Sequence, residues 1–184
     1  MWGVEHTGVS PDVVTVGKGM GSGFPVSGVM MSEQLGKSEP FGKPSASSSS
    51  YGGNPLAATA VAETIKIIRE DKLVENSRTV GAQMLHKLNA LKEKYEFIGD
   101  VRGKGLLIGI DLVRDLETRE PLSRKVTEQI FLEALRRGIV TMTYFPRVRI
   151  NPPLVITEQQ AETGVAILDE VFAHVRDHID WRAA

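Results

Sequence analysis

The sequence predicts an α/β protein whose strands and helices follow the order β–β–α–β–β–α–β–β–α. Three observations support this fold class. Residues 12–16 are rich in β-branched side chains, which favour strands, and a second apolar run follows at residues 26–31. From residue 56 onward, apolar residues recur with the period of about 3.6 that is typical of helices. Residues 97–178 then alternate short apolar runs with amphipathic segments.

The first strand and the link that follows it carry the most unusual pattern of the chain. Residues 12–16 are almost continuously apolar, as strands in parallel sheets buried on both faces commonly are. We therefore expect a buried, parallel strand. The link to the second strand contains four glycines between residues 17 and 23, which exclude a helix interior because glycine is a poor helix former. Residues 37–51 are rich in serine and proline and predict a loop.

Capping residues mark the ends of the predicted helices. Asn54 suits the N-cap of a helix and Pro55 suits its first position, so a long helical segment is expected to begin there. Asp71 or Asn76 is expected to interrupt it. Strands are predicted at residues 97–101, 106–113, 139–144 and 148–150. An amphipathic helix at 126–137 separates the two pairs, and Thr157 caps a last helix that runs to about residue 178.

We place a domain boundary where the character of the sequence changes, between residues 92 and 97. Residues 1–94 then form one domain that includes the long linking helix, and residues 95–184 form a small α+β domain. Two strands and one long helix are too few to close a sheet. We therefore expect additional chain, or another subunit, to cover the first part.

Composition excludes several classes of function. The net charge is -1, with 22 basic and 23 acidic residues, so there is no electrostatic argument for binding nucleic acid or an anionic membrane. The sequence has no cysteine, which excludes disulfides, thiolate zinc sites and cysteine nucleophiles and favours a reducing, cytoplasmic location. No apolar run approaches the length that spans a bilayer.

Lys18 is the leading candidate for a catalytic residue. It follows the first predicted strand directly and has glycine on both sides. A lysine amine whose pKa is shifted suits Schiff-base chemistry, and neighbouring glycines let a flat ring approach the backbone. The alternative is an exposed lysine in a flexible glycine loop, and the spacing by itself does not choose between them.

The segment Ser47 to Asn54, SSSSYGGN, is a candidate phosphate site. It supplies hydroxyls and backbone N–H groups directly before a helix N-terminus, which can hold an anion. The alternative is a plain linker. The glycines near Lys18 do not form a nucleotide-binding fingerprint, because position 22 is serine. A second near match, at Gly36-Lys37-Ser38, lacks the earlier glycine of a P-loop.

Arg149 is a candidate for binding a carboxylate. It lies in the apolar stretch VRINPPL, where a planar guanidinium would need an acidic partner if it were buried. The alternative is an exposed arginine at a strand end. Arg102 and Lys104 are similar but weaker candidates. His174 and His178 share a helix face, but the residue after His174 is not the glutamate of a metalloprotease helix, so no metal site is expected.

Four segments together resemble one enzyme family. The segment PDVVTVGKGMGSGFPVSGV, which contains Lys18, resembles the lysine segment of class III pyridoxal-phosphate aminotransferases of fold type I. Three more segments, SYGGNP at residues 50–55, VRGKGL at 101–106 and RINPPL at 149–154, resemble later family segments in the expected order and at the expected distances. Residues 1–94 would then be the C-terminal part of the large domain and residues 95–184 the small C-terminal domain.

The resemblance implies a role for each candidate residue. Lys18 would form the Schiff base with pyridoxal 5'-phosphate and carry a proton during transamination. Ser50 would bind the cofactor phosphate in the partner subunit of a homodimer or a dimer of dimers, and Tyr51 would also contact the cofactor. Arg149 would bind a substrate carboxylate. The substrates would be an amino acid or ω-amino acid, such as a 4-aminobutyrate-like donor, and a 2-oxo acid.

The sequence departs from the family in one important respect. The aspartate that pairs with the pyridine nitrogen lies upstream of the lysine in the family, and Asp12 is too close to Lys18 to take that role. The chain resembles only the C-terminal part of such an enzyme. Without that partner the ring is a poor electron sink, so we expect the 184 residues alone to be inactive or nearly so. A racemase or aminomutase of the same fold and a non-catalytic structural chain remain alternatives.

Overall fold

The computed structural model describes residues 1–46 and 49–183, without the side chains at positions 143 and 144. The chain divides into two compact units, Met1–Leu73 and Val74–Ala184. The mixed α/β fold class predicted from the sequence is confirmed. No helix among the described residues is both long and apolar enough to cross a membrane.

The first unit is built on a two-stranded antiparallel sheet. Strand β1, Val13–Gly17, pairs with β2, Ser27–Met31, and the two strand ends that flank the glycine link lie opposite each other. The predicted parallel pairing is therefore wrong for the described strands. The link is shorter than the dozen or so residues that a parallel crossover requires, so the strands form a hairpin.

The prediction that β1 is buried is also wrong for the described chain. Its residues are exposed or half-buried, and Val13 is 41% exposed. Val29 and Met30 of β2 are exposed as well. The cause is that these apolar side chains lie on a sheet of only two strands, which cannot cover both of its own faces.

The described residues of the first unit also form two α-helices, the short α1, Glu33–Lys37, and α2, Pro55–Glu70, and two 3₁₀ helices, Gly3–Thr7 and Lys18–Gly21. The Asn54 side chain accepts hydrogen bonds from the N–H groups of Leu56 and Ala57, which confirms it as the N-cap of α2. The helix ends at the C-cap Asp71, one of the two interruptions that the sequence predicted.

The second unit contains a four-stranded antiparallel sheet and three helices. The strands are β3, Ile98–Lys104; β4, Leu107–Leu112; β5, Met142–Tyr144; and β6, Arg147–Ile150. They lie in the order β3-β4-β6-β5. The helices are α3, Leu73–Lys94; α4, Arg124–Arg136; and α5, Glu158–His178. Thr157 and Gln160 form a capping box at the start of α5, as the sequence predicted.

The sheet has one buried face and one open face. Alternate residues of β4, Ile108, Ile110 and Leu112, are fully buried in the core together with apolar side chains of all three helices. The residues between them are exposed or half-buried. Because side chains alternate along a strand, the intervening positions of β3 and β6 lie on the same open face.

Helix α3 belongs to the second unit by its packing. Its buried residues Val80, Met84 and Leu88 are part of the core that includes β4 and α5. Three side chains of α3 bond side chains of α5 at a constant sequence separation of 75 residues: Gln83 to Glu158, Lys87 to Glu162 and Lys94 to Asp169. Because the separation stays constant, the two helices run parallel. The compact units therefore divide at Leu73, earlier than the predicted boundary after residue 94.

Truncation of Leu88 tests this account of the core. Leu88 is fully buried on α3, so Leu88→Ala should lower the free energy of unfolding by about 2–5 kcal/mol through lost apolar burial and a residual cavity. Val140→Ala is the control, because Val140 is 81% exposed and its truncation should change stability by less than about 0.5 kcal/mol. Urea unfolding followed by circular dichroism measures both. Equal losses for the two variants would contradict this packing.

Candidate active site

Lys18 occupies a strained turn directly after β1. It begins a 3₁₀ turn, Lys18–Gly21, with a φ of 51°, in the left-handed region that side-chain-bearing residues rarely adopt. Its side chain is exposed and forms no ion pair with the described residues. A residue other than glycine in this conformation costs about 1–3 kcal/mol, and such strain is concentrated at functional sites.

The glycines around Lys18 have two different roles. A Cβ on Gly21 would lie 2.4 Å from Cγ1 of Val26, so the fold requires glycine there for the turn to pack on the chain leading into β2. A Cβ on Gly19 would meet nothing within 4 Å. Gly19 therefore leaves open space beside the lysine, as a flat ligand bound at the amine would need.

The predicted phosphate segment precedes α2, which packs against the Lys18 turn. Ser47 and Ser48 lie outside the described residues. Ser50 and Tyr51 are exposed, Tyr51 to 82%. The Ser50 hydroxyl and the Gly53 N–H form no hydrogen bond with the described residues, so both remain available as donors to an anion.

Among the described residues, the first turn of α2 offers no free backbone N–H group. Pro55 has no N–H group, and Asn54 accepts the hydrogen bonds of the next three residues, two with its side chain and one with its carbonyl. An anion in this segment would therefore be bound by groups that precede the helix, such as the Ser50 hydroxyl and the Gly53 N–H, rather than by backbone N–H groups of α2. This narrows the donor set that the sequence suggested.

Arg149 lies on β6, on the open face of the four-stranded sheet. The register places it opposite Gly109 of β4, and Gly109 lies opposite Arg102 of β3. Arg149 lines two cavities. One, of about 780 Å³, covers the open face, and the other, of about 410 Å³, lies among the ends of β5 and β6 and helix α5.

A network of charged residues fills the neighbouring row of the same face. Asp111 of β4 accepts hydrogen bonds from Arg102 Nη1 at 2.6 Å and from Arg147 Nε at 2.6 Å. Arg102 also bonds Asp100 at 2.6 Å. Desolvation of the partly buried Asp111 carboxylate opposes its ionisation, but the two arginines outweigh this effect and lower its pKa below 3.8.

Comparison with known proteins identifies the family. The family model for class-III aminotransferases matches residues 1–172. The chain belongs to the class-III aminotransferases. The resemblance found in the sequence segments around Lys18 and Arg149 is therefore confirmed.

Relatives of this class-III aminotransferase have more than one activity. The human mitochondrial alanine–glyoxylate aminotransferase 2 is 36% identical over 99% of this chain. A leucine/methionine racemase of Thermococcus litoralis is 36% identical over 95% of it. The chain spans 35% and 39% of the lengths of these two relatives.

The same partial coverage holds for a solved structure. An amine transaminase from an uncultivated Pseudomonas species, crystallised with PLP as the internal aldimine, matches with a TM-score of 0.86 and 32% identity. The match covers 94% of this chain and 40% of that one. The family and this neighbour indicate pyridoxal phosphate as the cofactor. The exposed amine of Lys18 and the open space at Gly19 fit an aldehyde with a flat ring.

The structure distributes the candidate residues over both units. Lys18, Ser50 and Tyr51 belong to the first unit and Arg149 to the second. The sequence missed the Asp111 network. The alternation in RVRI at residues 147–150 places both arginines on one face, and this signal was available. The pairing of Arg147 with Asp111 depends on a strand register that the sequence does not reveal.

Replacement of Asp111 by asparagine tests the charge network. Because the folded-state pKa is lowered, the carboxylate stabilises the fold above about pH 3.8, and this contribution is lost as the pH falls through the folded-state value. Asp111→Asn should lower the unfolding free energy at neutral pH by about 1–3 kcal/mol and flatten its decline in acid.

Urea unfolding at a series of pH values measures both effects. Asp177→Asn is the matched control, since Asp177 also bonds an arginine but lies at an exposed site where the pair contributes little. An Asp111→Asn protein that is as stable as the parent at every pH would show that the network has no energetic role.

Proposed function

We propose that the whole protein transfers an amino group between an amino acid or ω-amino acid and a 2-oxo acid, with pyridoxal phosphate attached to Lys18. The observation that carries the proposal is the exposed amine of Lys18 in a strained, side-chain-poor turn. Strain of this kind persists where function requires it. Membership of the class-III aminotransferases supports the reaction class.

In this proposal, Lys18 has two roles, to hold the cofactor and to move a proton. When bound, pyridoxal phosphate supplies an electron sink for the negative charge left when a substrate loses a proton. The Lys18 amine would hold the cofactor and, once released from it, would act as the base that moves the α-proton of the substrate. Its side chain is exposed, so the amine is accessible for both roles.

Three other residues bind the cofactor or the substrate: Ser50, Tyr51 and Arg149. The free hydroxyl of Ser50 and the N–H of Gly53 donate to the cofactor phosphate, and the exposed Tyr51 ring contacts the cofactor. We propose that Ser50 and Tyr51 act in the site of a partner subunit, within a homodimer or a dimer of dimers. Arg149 binds a substrate carboxylate, because the planar N–H donors of its guanidinium match the two acceptor oxygens of a carboxylate.

A racemase is the second candidate, because one relative is named a leucine/methionine racemase. Lys18 would then act on one face of the substrate carbon, and a second acid–base group on the opposite face would have to supply the proton that inverts it. An aminomutase is a third variant on the same site. Product analysis separates them, since a racemase yields the enantiomer without a 2-oxo acid. A cytoplasmic location remains a prediction from the cysteine-free sequence.

Cofactor attachment at Lys18 is the direct test. The 184-residue chain, incubated with pyridoxal phosphate and reduced with borohydride, should carry the cofactor on the peptide that contains Lys18, as read by mass spectrometry. Lys18→Ala should abolish the modification. Lys72→Ala is a matched control, because Lys72 is also exposed and has a φ of 52°. Equal labelling of many lysines, unchanged in Lys18→Ala, would favour the non-catalytic alternative.

Transaminase activity of the 184 residues alone should be very low. Asp12 is too close to Lys18 in the sequence to pair with the pyridine nitrogen, and the ring draws electrons poorly without that partner. A single half-reaction with excess amino donor, followed by the conversion of bound cofactor to its amine form, measures this. Turnover comparable with that of full-length relatives would contradict the prediction.

A further inference from the structure

Gly109 is placed at the centre of the open sheet face. It is the third residue of β4, and its neighbours across the sheet are Arg102 on one side and Arg149 on the other. Glycine weakens a strand, because it loses more backbone entropy on folding than other residues and has no side chain to pack. Its presence between two arginines therefore needs a reason.

The other glycines of this hairpin are explained by the chain itself. A Cβ on Gly99 would lie 2.7 Å from the Val113 side chain, and one on Gly103 would lie 2.6 Å from the Leu107 carbonyl oxygen. Gly105 has a left-handed φ of 55°, which suits the tight turn between β3 and β4. Each of these positions requires glycine for the fold.

Gly109 differs from all three. A Cβ built on it would meet nothing within 4 Å, and its φ lies outside the left-handed region. Neither backbone conformation nor packing within the described chain requires glycine here. A glycine of this kind marks a place where something else approaches the backbone closely.

The charged residues around Gly109 indicate which kind of ligand approaches its backbone. Gly109 lines the 780 Å³ cavity, whose lining includes four cationic side chains, Arg102, Lys104, Arg147 and Arg149, and no carboxylate of the described residues. Asp111 and Asp100 lie outside this lining, and they balance two of its four positive charges through Arg102 and Arg147. The cavity therefore favours an anion, and a carboxylate fits the planar donors of the arginines.

The second cavity at Arg149 is less suited to that group. Its lining is largely apolar, with Met84, Ile150, Pro152 and Leu168 among its members, and Arg149 is the one charged residue among those that line it. A carboxylate placed there would gain one cationic neighbour and lose water on its other sides. On the open sheet face, four cationic side chains would compensate a carboxylate for the water that it loses.

We propose that Gly109 is a specificity-determining residue, the floor of the carboxylate-binding site on the open sheet face, and that it is glycine because the substrate occupies its side-chain space. This inference rests on the proposed role of Arg149 in binding a substrate carboxylate. It adds that the size of the residue at position 109 limits the size of the acid that binds.

A binding titration tests the proposal without requiring turnover. Pyruvate and the bulkier phenylpyruvate are added to the isotope-labelled 184-residue chain, and backbone amide shifts are followed by NMR. Both acids should shift the amides of Gly109 and Arg149. Gly109→Val should weaken binding of phenylpyruvate by at least about tenfold, and Gly109→Ala should weaken phenylpyruvate more than pyruvate.

Stability provides a second readout of the same variants. Because the Cβ position is open, Gly109→Val should fold and should raise the thermal midpoint while it weakens binding. A purely structural glycine would give the opposite sign. Gly164→Ala is the matched control, since Gly164 also has open space at its Cβ but lines the second cavity.

Three results would overturn the proposal. The first is unchanged affinity for both acids in the Gly109 variants. The second is weakened acid binding in Gly164→Ala together with unchanged acid binding in Gly109→Val, which would place the acid in the second cavity. The third is the absence of any shift at Gly109 and Arg149 in the parent chain, which would leave a protein surface, such as a second copy, as the occupant.

The test also separates this proposal from the proposed function. Cofactor attachment is read by mass spectrometry of the Lys18 peptide, and acid binding is read by the amide shifts of Gly109 and Arg149, so the two results are independent. Cofactor attachment with no acid binding would refute the Gly109 proposal alone. Acid binding without attachment at Lys18 would refute the proposed function alone.

Discussion

The two-residue alternation of the four-stranded sheet is the constraint on which the second unit depends. One set of side chains, including Ile108, Ile110 and Val148, is buried under the three helices, and this burial fixes the register of the strands. A shift of one residue would move the whole apolar set into solvent. The same register aligns Arg102, Gly109 and Arg149 across the open face, so the core determines the arrangement of the candidate binding site.

The two units differ sharply in how they are stabilised. The second has a continuous apolar core that includes the aromatic cluster of Tyr95, Phe97, Phe172 and Trp181. Among the described residues of the first unit, Leu73 is the one buried large hydrophobic side chain, while Val29 is 56% exposed. Apolar surface of this extent needs cover. This supports the expectation that other polypeptide packs on the unit that carries Lys18.

Local signals in the sequence were sufficient for much of the fold. The caps Asn54 and Thr157 act within a few residues of their helices, so the helix starts were predicted correctly. The error at β1 has a different origin. A continuous apolar run indicates burial on both faces but not the direction of the neighbouring strand, which the short link to β2 decides. The assignment of α3 to the second core likewise depends on distant partners.

The sequence by itself determined the family and singled out Lys18 as the candidate catalytic residue, because those signals lie in short contiguous segments. It also marked Arg149 as a candidate. Only the tertiary structure showed that Gly109 lies between two arginines, and that Asp111 holds Arg102 and Arg147. The physical reason is that these relations join strands β3, β4 and β6, and their register is fixed by burial of the opposite face rather than by any local pattern of residues.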